Sequence, residues 1–245
     1  MNNTYVYYYA KLPKNLQKDV YLPILKALQT HSESCSIPFI RIADLEKVMD
    51  VIVLEHPLIS FCGGYRYRTF HNMVFSIEFE YLLEKEKQDA VTAEIMERAN
   101  KIVSYARLGE EDPFIWSKRI YEYLSTHVAY DHDVHDYASN VAGSLLYGKA
   151  VCIGLALSLK LLFDLLGIPC ICVRGEHGDR GVGHAWSLVY LEGIWVPFDV
   201  TVGVCQTVDE DISYEGFCML PSPEKYKAWD AFPSLNAGKD GFYGI

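Results

Sequence analysis

The sequence has no long apolar run. Its longest stretches, Val51–Leu54, Val151–Leu159 and Leu161–Phe163, fall well short of the ~18–20 residues that span a bilayer, so no membrane helix is expected. It also lacks a surplus of positive charge. Lys and Arg total 22 against 32 Asp and Glu, a net charge of −10. Nucleic acids and anionic membrane surfaces are held by basic faces, so neither is expected as a partner. No CxxC pair occurs among the seven scattered cysteines. That odd, irregular set suggests neither a disulfide framework nor a zinc site. The opening Met1-Asn2-Asn3-Thr4-Tyr5 has no basic stretch followed by an apolar core, so no signal peptide is read and a cytoplasmic chain with free thiols is expected. There is no internal repeat and no low-complexity tract.

The residues present are those of a folded protein. Half of the 245 residues are hydrophobic, 13% aromatic and 22% charged, enough to bury a core in one large domain or two small ones. Composition shifts near the middle. The division expected is an amino-terminal α/β region over 1–105 and a second domain over 106–245. In the first, Val6 to Ala10 is β-prone. Asp19 to Leu28 has helical spacing, with Pro23 marking its start or a bend. Asp44 to Leu54 is a second helix, and Leu58 to Arg68 and Met73 to Tyr81 read as strands. Glu84 to Leu108 is a long amphipathic helix with Ile95, Ala99, Ile102, Val103 and Ala106 as its stripe. Asp112-Pro113 opens another, running to about Val128.

Beyond a polar loop over Tyr130 to Asn140, Ala150 to Leu166 reads as an apolar helix stopped by Gly167 and Pro169. Cys170 to Val173 is a short strand, and Gly175 to Gly183 a glycine-rich loop able to gate or shape a cleft or simply to connect. His184 to Leu191 and Ile194 to Val202 form a hairpin around Glu192-Gly193. Cys152 falls in the first helical turn, where the dipole favours a thiolate, the nucleophile of acyl transfer. Position alone favours an inert, buried cysteine.

The hairpin adds to the argument. With a two-residue loop, Leu191 opposes Ile194, His184 opposes Thr201 and Trp186 opposes Asp199. Period-two alternation then puts His184, Trp186, Asp199 and Thr201 on one face, with His184 and Asp199 within reach of an imidazole–carboxylate bond. A base oriented by a third group needs that geometry.

These segments resemble known motifs. Tyr147-Gly148-Lys149-Ala150-Val151-Cys152-Ile153-Gly154-Leu155-Ala156 resembles the nucleophile motif of the transglutaminase-like superfamily. Gly183-His184-Ala185-Trp186-Ser187 resembles its histidine motif, and Trp195-Val196-Pro197-Phe198-Asp199-Val200-Thr201 its aspartate motif. Their order and intervals fit as well. Upstream, the Tyr130-Asp131 pair looks like the loop that precedes the cysteine in bacterial members. The resemblance implies an α+β fold with a papain-like core, in which a nucleophile helix packs on an antiparallel sheet. It implies a cysteine enzyme acting on amide bonds of a peptide or protein through a thioester, with Cys152 as nucleophile, His184 as base and acid, and Asp199 as the residue orienting it. Trp186 would line the substrate channel. Hydrolysis, as in a peptidase or deamidase, is expected ahead of cross-linking, because no second amine site is readable. No cofactor is expected. Ile153, Leu155, Ser187 and Val202 depart from the common bacterial pattern, which bears on substrate class. A non-catalytic protein-interaction module retaining the fold is the alternative.

Asp131-His132-Asp133-Val134-His135-Asp136 concentrates imidazoles and carboxylates. A solvated loop is the reading, and no metal is expected. Cys170 and Cys172 alternate onto one strand face as core residues.

Overall fold

Glu55 decides how the chain enters the fold. In the computed structural model, which describes residues 4–59, 61–109, 111–178, 181–209, 211–219, 225–229, 233 and 242–243, only Tyr5–Val6 (β1) is extended, and a helical turn follows at Tyr8–Lys11. The strand expected over Val6 to Ala10 is therefore cut short. One carboxylate oxygen of Glu55 accepts the N–H groups of Tyr7, Tyr8 and Tyr9 at 2.6, 2.5 and 3.1 Å. Three successive N–H groups converge on one point at the start of a helix, whereas along a strand they alternate.

A π turn at Gln17–Tyr21 runs directly into the helix Leu22–Gln29 (α1), so Pro23 lies inside a continuous helical stretch, just after the irregular turn. Ser34–Arg41 (β2) leads into Ile42–Glu55 (α2). Cys62–Phe70 (β3) and Met73–Tyr81 (β4) form a hairpin through His71 and Asn72, both at positive φ (47° and 61°), the backbone of a primed turn. The three strands make an antiparallel sheet in the order β2-β4-β3. β3 begins later than expected because Pro57–Ile59 winds into a 3-10 turn. Lys85–Arg107 (α3) buries the predicted stripe of Ile95, Ala99, Ile102, Val103 and Ala106. Pro113–His127 (α4) starts where the side chain of Asp112 accepts the N–H of Phe114.

The second half is built around one helix. Ala129–Tyr130 (β5) pairs in parallel with Lys149–Ala150 (β6), across the short helix Val141–Leu145 (α5). Cys152–Leu166 (α6) follows, apolar apart from Ser158, Lys160 and Asp164, and is buried almost throughout from Gly154 onward. Gly167, at φ 75°, ends it in the left-handed conformation that glycine adopts without strain. α6 packs on the antiparallel sheet of Cys170–His177 (β7), Val182–Leu191 (β8), Ile194–Phe198 (β9) and Tyr226–Ala228 (β10), ordered β10-β7-β8-β9. The fold is thus α+β, with the helix that starts at Cys152 packed on an antiparallel sheet.

Two expectations change here. The glycine-rich loop over 175–183 is mostly ladder, since β7 runs to His177 and β8 resumes at Val182. Of its tip, Asp179 and Arg180 lie outside the described residues. The β8–β9 register is as predicted, with Leu191 opposite Ile194 and Ser187 opposite Phe198, around a turn whose Glu192 and Gly193 both have positive φ. The strand stops at Phe198, however, and Val200–Gln206 (α7) follows. Asp199 accepts the N–H of Thr201 at 3.0 Å, and that cap starts a helix where alternation alone had continued a strand.

The entering segment is fastened to the core by buried charge. Lys160 of α6, 1% exposed, holds Asp164 at 3.1 Å, the carbonyl of Tyr5 at 2.8 Å and that of Cys170 at 3.2 Å. Asp164 accepts the N–H of Tyr5 in return, and the hydroxyl of Tyr8 donates to the carbonyl of Cys172. Phe242–Tyr243 (β11) pairs antiparallel with β1. Among the described residues, no helix is long and apolar enough to cross a membrane.

Candidate active site

Cys152 is the first residue of α6, with Val151 extended before it. The helix begins here because the N–H of Val151 is bonded to the carbonyl of Ala138 and β6 is paired just upstream. Gly154 is required in that first turn. A Cβ there would lie 2.3 Å from the Ala138 carbonyl oxygen, closer than atoms can approach. The half-buried thiol of Cys152 thus faces outward from the N-terminus of a helix.

His184 lies on β8 opposite Gly175 of β7. Its Nε2 is 2.6 Å from Oδ2 of Asp199, which leaves Nδ1 as the ring nitrogen not engaged by the carboxylate. Asp199 is fully buried. Its Oδ1 caps α7, and its Oδ2 takes both His184 and, at 2.9 Å, the hydroxyl of Tyr226. The carboxylate is therefore gripped from three elements.

The electrostatics separate this thiol from the others. Burial works to raise the Cys152 pKa. The hydrogen bond from His184, the charge of that ring and the N–H groups of Ala185 and Ile153 outweigh it, and the net shift is downward. The other six thiols all move up, each chiefly through burial, Cys172 to about 12. His184 moves in the complementary sense. Desolvation would lower it, but its bonds to Asp199 and Cys152 raise it to about 9. A thiolate–imidazolium pair is the state such shifts favour.

The structure brings Cys152, His184 and Asp199 together. Trp186 shares the face of His184, as alternation required, but it is only 4% exposed. Its ring stacks 6.1 Å from the imidazole and meets that of Tyr226 edge-on at 5.1 Å. Thr201 contributes its backbone N–H to Asp199 from α7, not a side chain from the strand.

Two residues at the site were not singled out from the sequence. The hydroxyl of Tyr130 meets the backbone N–H of Cys152, and its only signal was the Tyr130-Asp131 pair. Tyr226 reaches Asp199 from a separate strand that no pattern announced. Asp131, Asp133 and His135 lie close enough to share an ion, but the Asp131 carboxylate is already engaged by the N–H groups of Asp133 and His135 and by His135 Nδ1 at 2.8 Å. Those bonds shape the loop.

Residues 100–200 match the family model of the transglutaminase-like superfamily, a span that includes Cys152, His184 and Asp199. The resemblance read from the motifs therefore holds over that domain. Among solved structures, the chain is similar to a crystal structure of a TGase, at 17% identity and a TM-score of 0.43, covering 59% of this chain and 45% of that one. It is similar to a candidate cysteine protease from Cytophaga hutchinsonii, at 11% identity and a TM-score of 0.39, covering 74% of this chain and 81% of that one. A candidate protease from Parabacteroides distasonis shares 9% identity at a TM-score of 0.31, over 53% of this chain and 34% of that one. The chain thus spans less than half the length of the first and third of these. No curated protein matches it.

Proposed function

We propose that the protein is a cysteine enzyme that cleaves amide bonds of a peptide or protein through a thioester. The observation that carries this reading is the 2.6 Å bond from His184 to the buried Asp199, beside Cys152, whose pKa the His184 side chain lowers. The Cys152 thiolate attacks the amide carbonyl carbon. The imidazolium of His184 then gives its proton to the departing nitrogen, and the thioester remains. Water attacks next, His184 takes its proton, the acid leaves and the thiolate returns. Asp199 holds the ring so that one nitrogen faces the thiol throughout. The backbone N–H of Cys152, with the Tyr130 hydroxyl against it, is where an oxyanion would find donors. Trp186 backs the imidazole in this reading, and a substrate would meet only its small exposed edge. Hydrolysis is favoured over cross-linking because the half-exposed thiol leaves water free to reach the thioester.

The test is alkylation of the native protein across pH 5 to 9, with the labelled site read by mass spectrometry. Cys152 is expected to label ahead of its six companions, with a thiolate pKa below the ~8.5 of a free cysteine, and labelling should slow in His184→Ala. If Cys152 labels no faster than half-buried Cys35 or Cys62, the non-catalytic interaction module becomes the reading.

A further inference from the structure

Tyr226 sits on β10, a three-residue strand that reaches the site from beyond residue 219 and adds to the free side of β7. The fold makes room for it at one place. Gly175 lies opposite Ala228, and a Cβ there would meet the Lys227 carbonyl oxygen at 2.2 Å, Ala228 Cα at 2.7 Å and the Trp186 ring at 2.8 Å. The strand is thus laid directly over the ladder position that carries His184 on its other side. The Tyr226 ring is then held between His177 (4.6 Å) and Trp186 (5.1 Å), 6.2 Å from the His184 ring. Its hydroxyl reaches Asp199 Oδ2 at 2.9 Å and Met219 Sδ at 3.4 Å. A hydroxyl has one proton, and a carboxylate is a far stronger acceptor than a thioether.

We propose that Tyr226 is a positioning residue of this centre, its hydroxyl sharing the Asp199 carboxylate with His184 and so limiting the negative charge the imidazole feels. The inference rests on the cysteine-enzyme reading and deepens it. A carboxylate oxygen that accepts two hydrogen bonds divides its charge between two donors. With Tyr226 in place, the imidazolium is less tightly held and gives its proton to a leaving amine more readily. Without the hydroxyl, the whole of Oδ2 acts on His184. The charged and titratable groups facing that ring are Cys152 from α6, Asp199 from the start of α7, Tyr226 from β10 and His177 from β7, with Tyr130 of β5 behind Cys152. Burial and the His184 charge both lower the pKa of His177, so it titrates well below His184.

The sign of the effect separates this role from a structural one. Tyr226→Phe keeps the ring and its stacking and removes only the donor. His184 should then hold its proton to higher pH, by about half a unit or about threefold in proton affinity. A substitution that merely loosened the site would let water in and move His184 down toward its ordinary value. The titration of His184 is read in the full chain by NMR of the histidine rings, assigned with His184→Ala. Asp199→Asn gives the downward reference. Labelling of Cys152 by iodoacetate is followed in parallel, because an anionic reagent slows as the imidazolium is lost. An upward shift in both readouts supports the proposal. An unmoved or lowered His184 titration in Tyr226→Phe overturns it. A Cys152 that is unreactive in the wild type overturns the cysteine-enzyme reading instead, while the NMR titration still decides whether Tyr226 acts on His184.

Discussion

Replacing Glu55 by glutamine tests how the amino-terminal segment is held. Glu55 is 2% exposed and accepts backbone N–H groups from Tyr7, Tyr8 and Tyr9. Burial lifts its carboxyl from 4.5 to about 7, against the N–H groups of Tyr9 and Tyr7, the charge of Lys160 and the hydroxyl of Tyr21, which all pull it down. The neighbouring groups can receive a proton there. Tyr21 lies 3.1 Å from Glu55 and 2.8 Å from His56 Nε2, and burial lowers His56 to about 3, so that ring stays neutral. A protonated Glu55 then donates to Tyr21, which donates to His56.

The sign follows from linkage. The folded state holds this proton more tightly than the unfolded chain does. Its contribution is fully present below pH 4.5 and is lost as pH rises through 7. A shift of about 2.5 units is worth about 3 kcal/mol. Glutamine mimics the protonated acid at every pH. It loses one acceptor oxygen, at a cost of about 1–3 kcal/mol, but has no proton to release. In urea unfolding at pH 5 and pH 8, the penalty of Glu55→Gln should therefore shrink by about 2–3 kcal/mol at the higher pH. All other titrations are common to both proteins and cancel. A penalty that stays constant or grows between pH 5 and 8 refutes the reasoning, because it would mean that the N–H groups outweigh burial and hold Glu55 ionised.

Three further outcomes can be checked directly. Asp199→Asn should slow alkylation of Cys152 at neutral pH by about a hundredfold or more, since the imidazole loses its orienting charge; a loss under threefold would argue against coupling from Asp199 to Cys152. Lys160→Met should destabilise the fold by about 3–5 kcal/mol in urea, because Asp164 is left as an uncompensated buried charge, and the double change Lys160→Met, Asp164→Leu should recover much of it. Gly175→Ala should displace β10, and protection of the Tyr226–Ala228 amides in hydrogen exchange should fall while that of α6 stays unchanged.

Much of this was readable because local signals agreed with one another. The Asp112-Pro113 start of α4 is a cap and a proline in their preferred places. The stripe of α3 is buried residue for residue. The Glu192-Gly193 turn fixed the β8–β9 register and so placed His184 and Asp199 side by side. The misreadings share a cause. Val200, Thr201 and Val202 look like strand, but the Asp199 cap acts at short range and its helix competes successfully. Tyr7 to Tyr9 look like strand, but a carboxylate 46 to 48 residues away collects their N–H groups. Tyr226 belongs to the site only through tertiary pairing on β7, which leaves no period or spacing in the chain. Gly175, read as part of a flexible loop, is needed for close approach between two strands.

The fastening of Tyr5 and Tyr8 also sets an order of events during synthesis. Their partners, Lys160, Asp164 and Cys172, lie 155 to 164 residues downstream. At roughly 5–20 residues per second, these emerge about ten to thirty seconds later. Until then Tyr5 lacks Lys160 and Asp164, although Glu55, made much earlier, can already collect the N–H groups of Tyr7 to Tyr9. The helix that starts at Cys152 finds Tyr5 already made and waits for the Cys170 carbonyl, ten residues beyond Lys160. A nascent chain passes through a period in which the Cys152 helix exists but its buried charges do not yet have all their partners.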